Sequence, residues 1–560
     1  MGDASASTPL ARPGLTLGLL LLGYLPAALL RWPWEVDEVR YVEVAREMRV
    51  SGEWLVPHLN GETYSEKPPL FFWLVGGLGG LVGEPRAGQL LAALAVVVTA
   101  FLTVRLGRLL GDGDERLAWT GGAALACSVM LIDRGQAALI DTLLLPLVTA
   151  GTLALLEAAR SRGGRAVAWS AGACLACAAA CLAKGPVGLL FPLLGAGLAG
   201  AATRGREGLR LLALGLAPLG GAATLLWLWL ASRAAGGGLW ERMLFQQTAK
   251  RLGGGTVHHP EAPWFYLLQV PHRLLPWAVL LPGALLLARH GPPAGWRRAG
   301  RAAALWAGVG LLLFSIPGGK RPGYILPLFV PLALLCASAV VGAAEAPGTR
   351  GRRWVTLPLG LVPPLLAAQG ALLLLAAPTT ALALGLAEPS ELAAAQALPT
   401  LAWAVVPALG LIALWLAREA ARAARGEDWV RVARALAGGV AIVAGIQGLV
   451  AVPVLEPKRS GRVLAEAVLA RVPAEDRLVL LAGHHDGRLN LWTGARHYDV
   501  VQPEALPAEV ARPGRLWVLA REAPFTLVEP STRARFAHEL EWPGGEKNDF
   551  ILLREGPSAQ

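Results

Sequence analysis

Pro68-Pro69-Leu70-Phe71-Phe72-Trp73-Leu74-Val75-Gly76-Gly77-Leu78-Gly79-Gly80-Leu81-Val82-Gly83 is the apolar run on which the topology of this 560-residue chain turns. A bilayer-crossing helix needs about 20 mostly apolar residues, and this run is short and glycine-rich. Outside it, candidate spans fall at 13–31, 87–110, 117–132, 142–158, 165–182, 186–203, 211–231, 272–288, 302–317, 324–345, 354–377, 398–417 and 432–452. If 68–83 lies in the interface without crossing, the arginine-rich loops all fall on one side. These are Arg105/Arg108/Arg116, Arg160/Arg162/Arg165, Arg204/Arg206/Arg210, Arg289/Arg297/Arg298/Arg301, Arg350/Arg352/Arg353 and Arg418/Arg422/Arg425. Cytoplasmic loops carry such an excess. A crossing at 68–83 would put Arg105 and Arg108 outside and break the pattern. The expectation is therefore thirteen spans, an inner N-terminus, and an outer side that holds 32–86, 133–141, 183–185, 232–271, 318–323, 378–397 and everything after 453.

Composition agrees. Apolar residues make up 54% of the chain and charged residues 16%, against roughly a quarter charged in an ordinary soluble protein, and the mean hydropathy is +0.49. Disorder, collagen-like structure, coiled coil and a disulfide scaffold are excluded, the last because there are only 5 cysteines. The net charge of +11 is accounted for by the inner loops, and no basic stripe interleaved with aromatics points to nucleic acid. The first apolar run reads as a retained span, since only Arg12 flanks it and no small-x-small cleavage site precedes Arg31. Charges return over 453–560, where 460–471 reads as a helix and Leu478–Leu481, Leu516–Leu519 and Phe550–Leu553 read as strands. The expected fold is an all-α polytopic membrane bundle over 1–452 with a small extracytoplasmic α/β domain over 453–560.

Unusual polar residues collect on the outer side. Asp37 lies a few residues beyond the first span, where low dielectric makes an unpaired charge costly. It is a candidate general base. The alternative is an acidic pair, Asp37 and Glu38, that stabilises a helix start. Asp133 and Asp141 bracket a short loop, Lys184 opens Lys184-Gly185-Pro186, Lys250 and Arg251 precede His258-His259, and Lys320-Arg321-Pro322-Gly323-Tyr324 forms a tight turn. Each charge alone could snorkel to headgroups. Together, cations and carboxylates on one face suit transfer from a lipid phosphate, with the cations neutralising the leaving group and a carboxylate deprotonating the incoming hydroxyl.

The run Asp37-Glu38-x-Arg40-Tyr41, Arg46-Glu47-Met48, Gly52-x-Trp54-Leu55-Val56-Pro57, Asn60-Gly61 and Tyr64-x-Glu66-Lys67-Pro68-Pro69-Leu70 resembles the bacterial 4-amino-4-deoxy-L-arabinose lipid A transferases. It equally resembles the wider protein O-mannosyltransferase-like, GT-C-type glycosyltransferases (glycosyltransferase family 39-like). Further echoes are Asp141, Ala183-Lys184-Gly185-Pro186 and Tyr324-Ile325-Leu326-Pro327. The resemblance implies a polyprenyl (undecaprenyl) phosphate-linked sugar donor, a lipid or protein acceptor, and inverting transfer at the periplasmic face of the cytoplasmic membrane. It implies catalytic roles for Asp37 and Asp141, donor-phosphate contacts from Lys67, Arg251, Tyr324 and Tyr64, and support from Glu38, Arg40, Tyr41, Glu66, Lys184 and Lys320. Where the family stretch ending in Arg-Phe usually carries an acidic residue and Asn, this chain reads Phe245-Gln246-Gln247-Thr248-Ala249-Lys250-Arg251-Leu252. That departure leaves a shared divalent-metal site and the identity of the acceptor open.

Other signals have plainer readings. Cys174, Cys177 and Cys181 share a helical face inside an apolar span and read as small-residue packing. His258-His259 has no third ligand at suitable spacing and reads as a loop or an acceptor contact. His484-His485-Asp486 reads as a turn before a strand. The glycine run at 76–80 lacks the strand and Lys of a phosphate loop, so donor energy must come from a pre-activated lipid. The competing class, a lipid or sugar transporter or flippase, would carry broken or charged helices near mid-bilayer in two matching halves. Here charges sit at span ends, and no halves repeat.

Overall fold

The structure is a computed structural model that describes residues 13–204, 217–243, 260–375, 400–482, 487–495, 497–542 and 549–556. The chain divides into two compact units. One comprises 1–31, 65–71 and 89–452, and the other comprises 32–64, 72–88 and 453–560.

The first unit is helical. Glu84–Leu110, most of which it holds, Ile140–Arg160, Gly163–Lys184, Pro322–Glu345, Arg353–Leu374 and Trp429–Val450 are each long and apolar enough to cross a membrane. A pair, Phe265–Arg273 and Trp277–His290, qualifies together but bends by 107°. Thus six spans, or seven with the bent pair, stand on length and composition among the described residues. The 322–345 segment is the axis of the bundle, with its whole apolar window buried. Phe329, Leu334 and Val340 lie there at 0% exposure. Small residues let helices close on it. A Cβ at Gly342 would come 2.7 Å from the Trp296 ring, and one at Gly195 would come 2.7 Å from Trp306. Such positions bring backbones together where apolar burial alone gives no preference for protein over lipid. Outward-facing Leu225, Leu226, Leu312, Leu357 and Leu365 are exposed. An apolar surface of this kind suits acyl chains rather than water.

The second unit has two parts that bond to each other. Its sheet runs β4(Asp499–Val501)-β3(Arg477–Leu481)-β5(Leu516–Ala520)-β7(Phe550–Glu555)-β6(Phe536–Trp542). β3 is parallel to both β4 and β5, whereas β7 is antiparallel to β5 and β6. The helix expected at 460–471 is Gly461–Leu469, and the three expected strands are β3, β5 and β7. The other part begins with the helix Val36–Ser51. It starts at a capping box in which the Glu35 N–H donates to Glu38 Oε2 at 3.1 Å, and it ends at Gly52 with φ 75°. A hairpin of β1(His58–Leu59) and β2(Glu62–Thr63) follows, its two-residue turn made by Asn60 and Gly61 at φ 54° and 79°.

The run 68–83 folds as the helix Leu70–Val82, 13 residues or about 20 Å long. That is short of a hydrocarbon core about 30 Å thick.

Candidate active site

Three expected site residues converge in the first unit. Asp141 lies in the first turn of Ile140–Arg160, where the helix dipole favours a carboxylate. Lys184 is the last residue of Gly163–Lys184, which Gly185 closes at φ 73°. Their side chains form an ion pair at 11% and 17% exposure. The Lys184 Nζ also stands 4.6 Å from the ring centroid of Tyr324. One ammonium thus ties a carboxylate to an aromatic ring, drawn from three separate segments, and the pairing makes a charge at the bundle's end tolerable.

Around it, Tyr266 donates its hydroxyl to the Arg321 carbonyl at 3.1 Å. Lys320, 3% exposed, donates to the Glu261 carbonyl at 2.9 Å. A bridge between Pro260 and Gly319 aligns these two strands of chain. Lys320 therefore holds the 260–266 segment against the 318–324 turn. Arg273 approaches Asp133 at 3.4 Å, and Arg134 approaches the same carboxylate at 3.0 Å. Lys67, also in this unit, is half-buried, and its Nζ reaches the Glu66 carbonyl at 3.3 Å. Glu66 is exposed.

The remaining first-loop residues belong to the second unit. Asp37 is about one-quarter exposed and lies 3.6 Å from Arg40. Glu38, fully buried, serves the helix cap, and Asp37 shares the first helical turn with it, so both carboxylates lie at the helix start as the acidic-pair alternative has it. Tyr41 and Tyr64 pack their rings on Phe72, with centroids 6.2 and 5.9 Å apart. Arg251 and Lys250, with His258-His259 and His484-His485-Asp486, lie outside the described residues. Among the described residues, no group of three or more His, Cys, Asp or Glu side chains is placed to hold a metal ion. Cys177 and Cys181 are buried in their helix, and Cys174 is partly so.

Much of the first-loop motif is occupied inside the second unit by a network that the sequence did not foretell. Arg46 grips Glu43 with two bonds of 2.7 Å and extends to the Gly494 and Ala495 carbonyls at 3.3 and 2.6 Å. Glu47 accepts the backbone N–H groups of Asn60 and Gly61. The Asn60 side chain accepts from the Tyr498 N–H at 2.8 Å and from Asn490 Nδ2 at 2.9 Å, and donates to the Tyr498 carbonyl at 2.9 Å. Burial outweighs the Arg46 bonds and pushes the Glu43 carboxyl up to about 8. His497, whose Nδ1 lies 2.8 Å from the Asn60 carbonyl, is raised above its ordinary value chiefly by that bond. Motif residues Arg46, Glu47 and Asn60 thus bind the loop to the α/β domain, and the sequence signal for this was only their membership of the motif.

Fold and site together describe a largely helical protein with six or seven segments long and apolar enough to cross a membrane, and an appended α/β domain. Residues 15–234 match the family model described as dolichyl-phosphate-mannose-protein mannosyltransferase. Among curated proteins, the undecaprenyl phosphate-alpha-4-amino-4-deoxy-L-arabinose arabinosyl transferase 2 of Sodalis glossinidius is 31% identical over 335 residues, which is 58% of this chain and 59% of that protein. The corresponding transferase of an Enterobacter species is 32% identical over 360 residues, 62% of this chain and 63% of that one. The aligned part spans about three-fifths of these relatives' length. The crystal structure of ArnT from Cupriavidus metallidurans bound to undecaprenyl phosphate superposes with a TM-score of 0.70 at 19% identity, covering 98% of this chain and 99% of that one. The resemblance read from the first loop is borne out, and the described residues share that structure's fold.

Proposed function

We propose that the chain is an integral-membrane glycosyltransferase that moves a sugar from an undecaprenyl-phosphate donor to an envelope acceptor, lipid A-like or protein, with inversion. Thirteen spans, a bacterial inner-membrane location and an outward-facing site and α/β domain belong to this reading. The sugar is a pentose, an aminoarabinose, as in the names of the relatives. The observation that carries it is the Asp141–Lys184–Tyr324 cluster at the bundle's end. It gathers three residues that the resemblance singles out, in the fold of a protein crystallised with undecaprenyl phosphate.

Asp37 takes the proton of an acceptor hydroxyl. The freed oxygen forms its bond to the anomeric carbon as the carbon–oxygen bond to phosphate breaks on the opposite face, which inverts the centre. Undecaprenyl phosphate departs, turning from a diester monoanion into a monoester dianion. Lys67, Arg251, Tyr324 and Tyr64 hold that phosphate. A well-placed donor to developing charge is generally worth about 3 kcal/mol. Lys184 holds Asp141 in place, and Asp141 orients the acceptor or holds a basic group on it. If the acceptor is itself a phosphate, its oxyanion attacks directly and no proton need leave.

The test is incubation of the purified protein in sealed proteoliposomes with radiolabelled undecaprenyl-phosphate aminoarabinose and lipid A. Label moving covalently to the acceptor supports the reading, and passage of intact donor across vesicles without a covalent product contradicts it.

A further inference from the structure

The α/β domain has a feature that the transfer reading does not use. β3 pairs in parallel with β4 on one side and β5 on the other. The chain therefore leaves the carboxyl end of β3 towards β4 and returns by way of β5, which lies on β3's far side. At such a switch point the loops diverge, and a crevice opens beyond the strand ends where open α/β sheets take their ligands. The crevice is present here. Leu481 and Ala482 line it from the end of β3, Ala520 and Arg521 from the end of β5, with Arg488 and Phe550 beside them.

Its chemistry is selective. The walls are mainly apolar, and among the described residues the charged groups that line it are two guanidinium groups. Arg488 is 6% exposed. Its side chain passes so close to the backbone that a Cβ at Gly461 would meet its Cγ at 2.1 Å. Only glycine at 461 leaves room for this arginine. The Arg488 and Arg521 guanidinium carbons lie 5.8 and 5.4 Å from the centroid of the same Phe550 ring. Two guanidinium groups near one aromatic ring, in a recess of low dielectric, are the kind of side chain that takes phosphate oxygens in pairs.

We propose that this crevice binds a phosphate group, either free or on a lipid headgroup, between Arg488 and Arg521. Occupancy would be felt in the first loop, because Asn490 also lines the crevice and donates to Asn60 Oδ1 at 2.9 Å. The proposal stands independently of the transfer reading.

The test uses the full-length protein. Crystals soaked in tungstate, a phosphate analogue, report the position by anomalous scattering, and calorimetry with inorganic phosphate compares wild type, Arg521→Ala and Arg521→Lys. Tungstate between Arg488 and Arg521, with phosphate affinity at least tenfold weaker in Arg521→Ala and intermediate in Arg521→Lys, supports the site. Competition by dihexanoyl phosphatidic acid well below the phosphate concentration needed assigns it to a lipid headgroup, and equal competition assigns it to free phosphate. Tungstate bound only elsewhere, or an Arg521→Ala protein that melts and binds phosphate as wild type does, overturns it.

Discussion

Lys184 stands 4.6 Å from the centre of the Tyr324 ring while its ammonium pairs with Asp141, so the last residue of one span and the first turn of another are joined over an aromatic plate from a third segment. The ring steadies the lysine, and the proposed transfer gives the Tyr324 hydroxyl a separate task, contact with the donor phosphate.

Tyr324→Phe should therefore keep the melting temperature and lose turnover by about a hundredfold to a thousandfold, the scale of one lost donor to developing charge. Lys184→Met strands the Asp141 carboxylate and should lower stability by roughly 3 kcal/mol, as breaking a buried pair does. Thermal melting and single-turnover rates of both variants check this. Equal melting of Lys184→Met and wild type would count against the pairing.

Lys67→Ala should weaken donor binding and turnover together, because the proposed phosphate contact exists before and during departure of the leaving group. Titration with undecaprenyl phosphate measures the first, and initial rates measure the second. Unaltered donor affinity would remove Lys67 from the phosphate.

Glu43 carries a carboxyl raised to about 8 in the folded state from an ordinary 4.5, by burial. Between these values the folded protein holds a proton that the unfolded chain releases, so stability declines as pH rises from about 4.5 to 8. Glu43→Gln, neutral throughout, should melt like wild type near pH 5 and show a flatter decline. Melting curves from pH 5 to 9 test this, and a Glu43→Gln variant that is far less stable than wild type at pH 5 would mean that the carboxylate is ionised against Arg46.

Asn60 combines a positive φ with three side-chain bonds to Tyr498 and Asn490. Asn60→Ala should cost about 2–4 kcal/mol, since it leaves buried partners unsatisfied and strains the turn. Asn60→Gly relieves only the strain and should recover a minor part. Limited proteolysis after the first loop measures the loss, and full rescue by glycine would assign the effect to the backbone alone.

One helix and three strands of the α/β domain were readable, the helix from its apolar period and the strands as short apolar runs, of which β5 is buried at every position. β4 has 3 residues, and β6, Phe-Ala-His-Glu-Leu-Glu-Trp, carries charges on a largely exposed strand, so neither offers an apolar run. The span at 117–132 breaks in two because Ser128 caps a new helix from Val129, its Oγ accepting from the Leu131 N–H. The bend within 265–290 leaves no trace in an apolar count. Asp141, Lys184 and Tyr324 were legible as polar residues at span ends. The partners of Asn60 were not, because Asn490 and Tyr498 lie more than 400 residues away in an unremarkable stretch.

The most direct measurement is covalent transfer of radiolabelled aminoarabinose from undecaprenyl phosphate to a hydroxyl acceptor by the Asp37→Asn protein, beside its binding of undecaprenyl phosphate. Loss of transfer by at least a hundredfold with donor affinity retained is the predicted result. Transfer at the wild-type rate would contradict the base role of Asp37 and, with it, the mechanism.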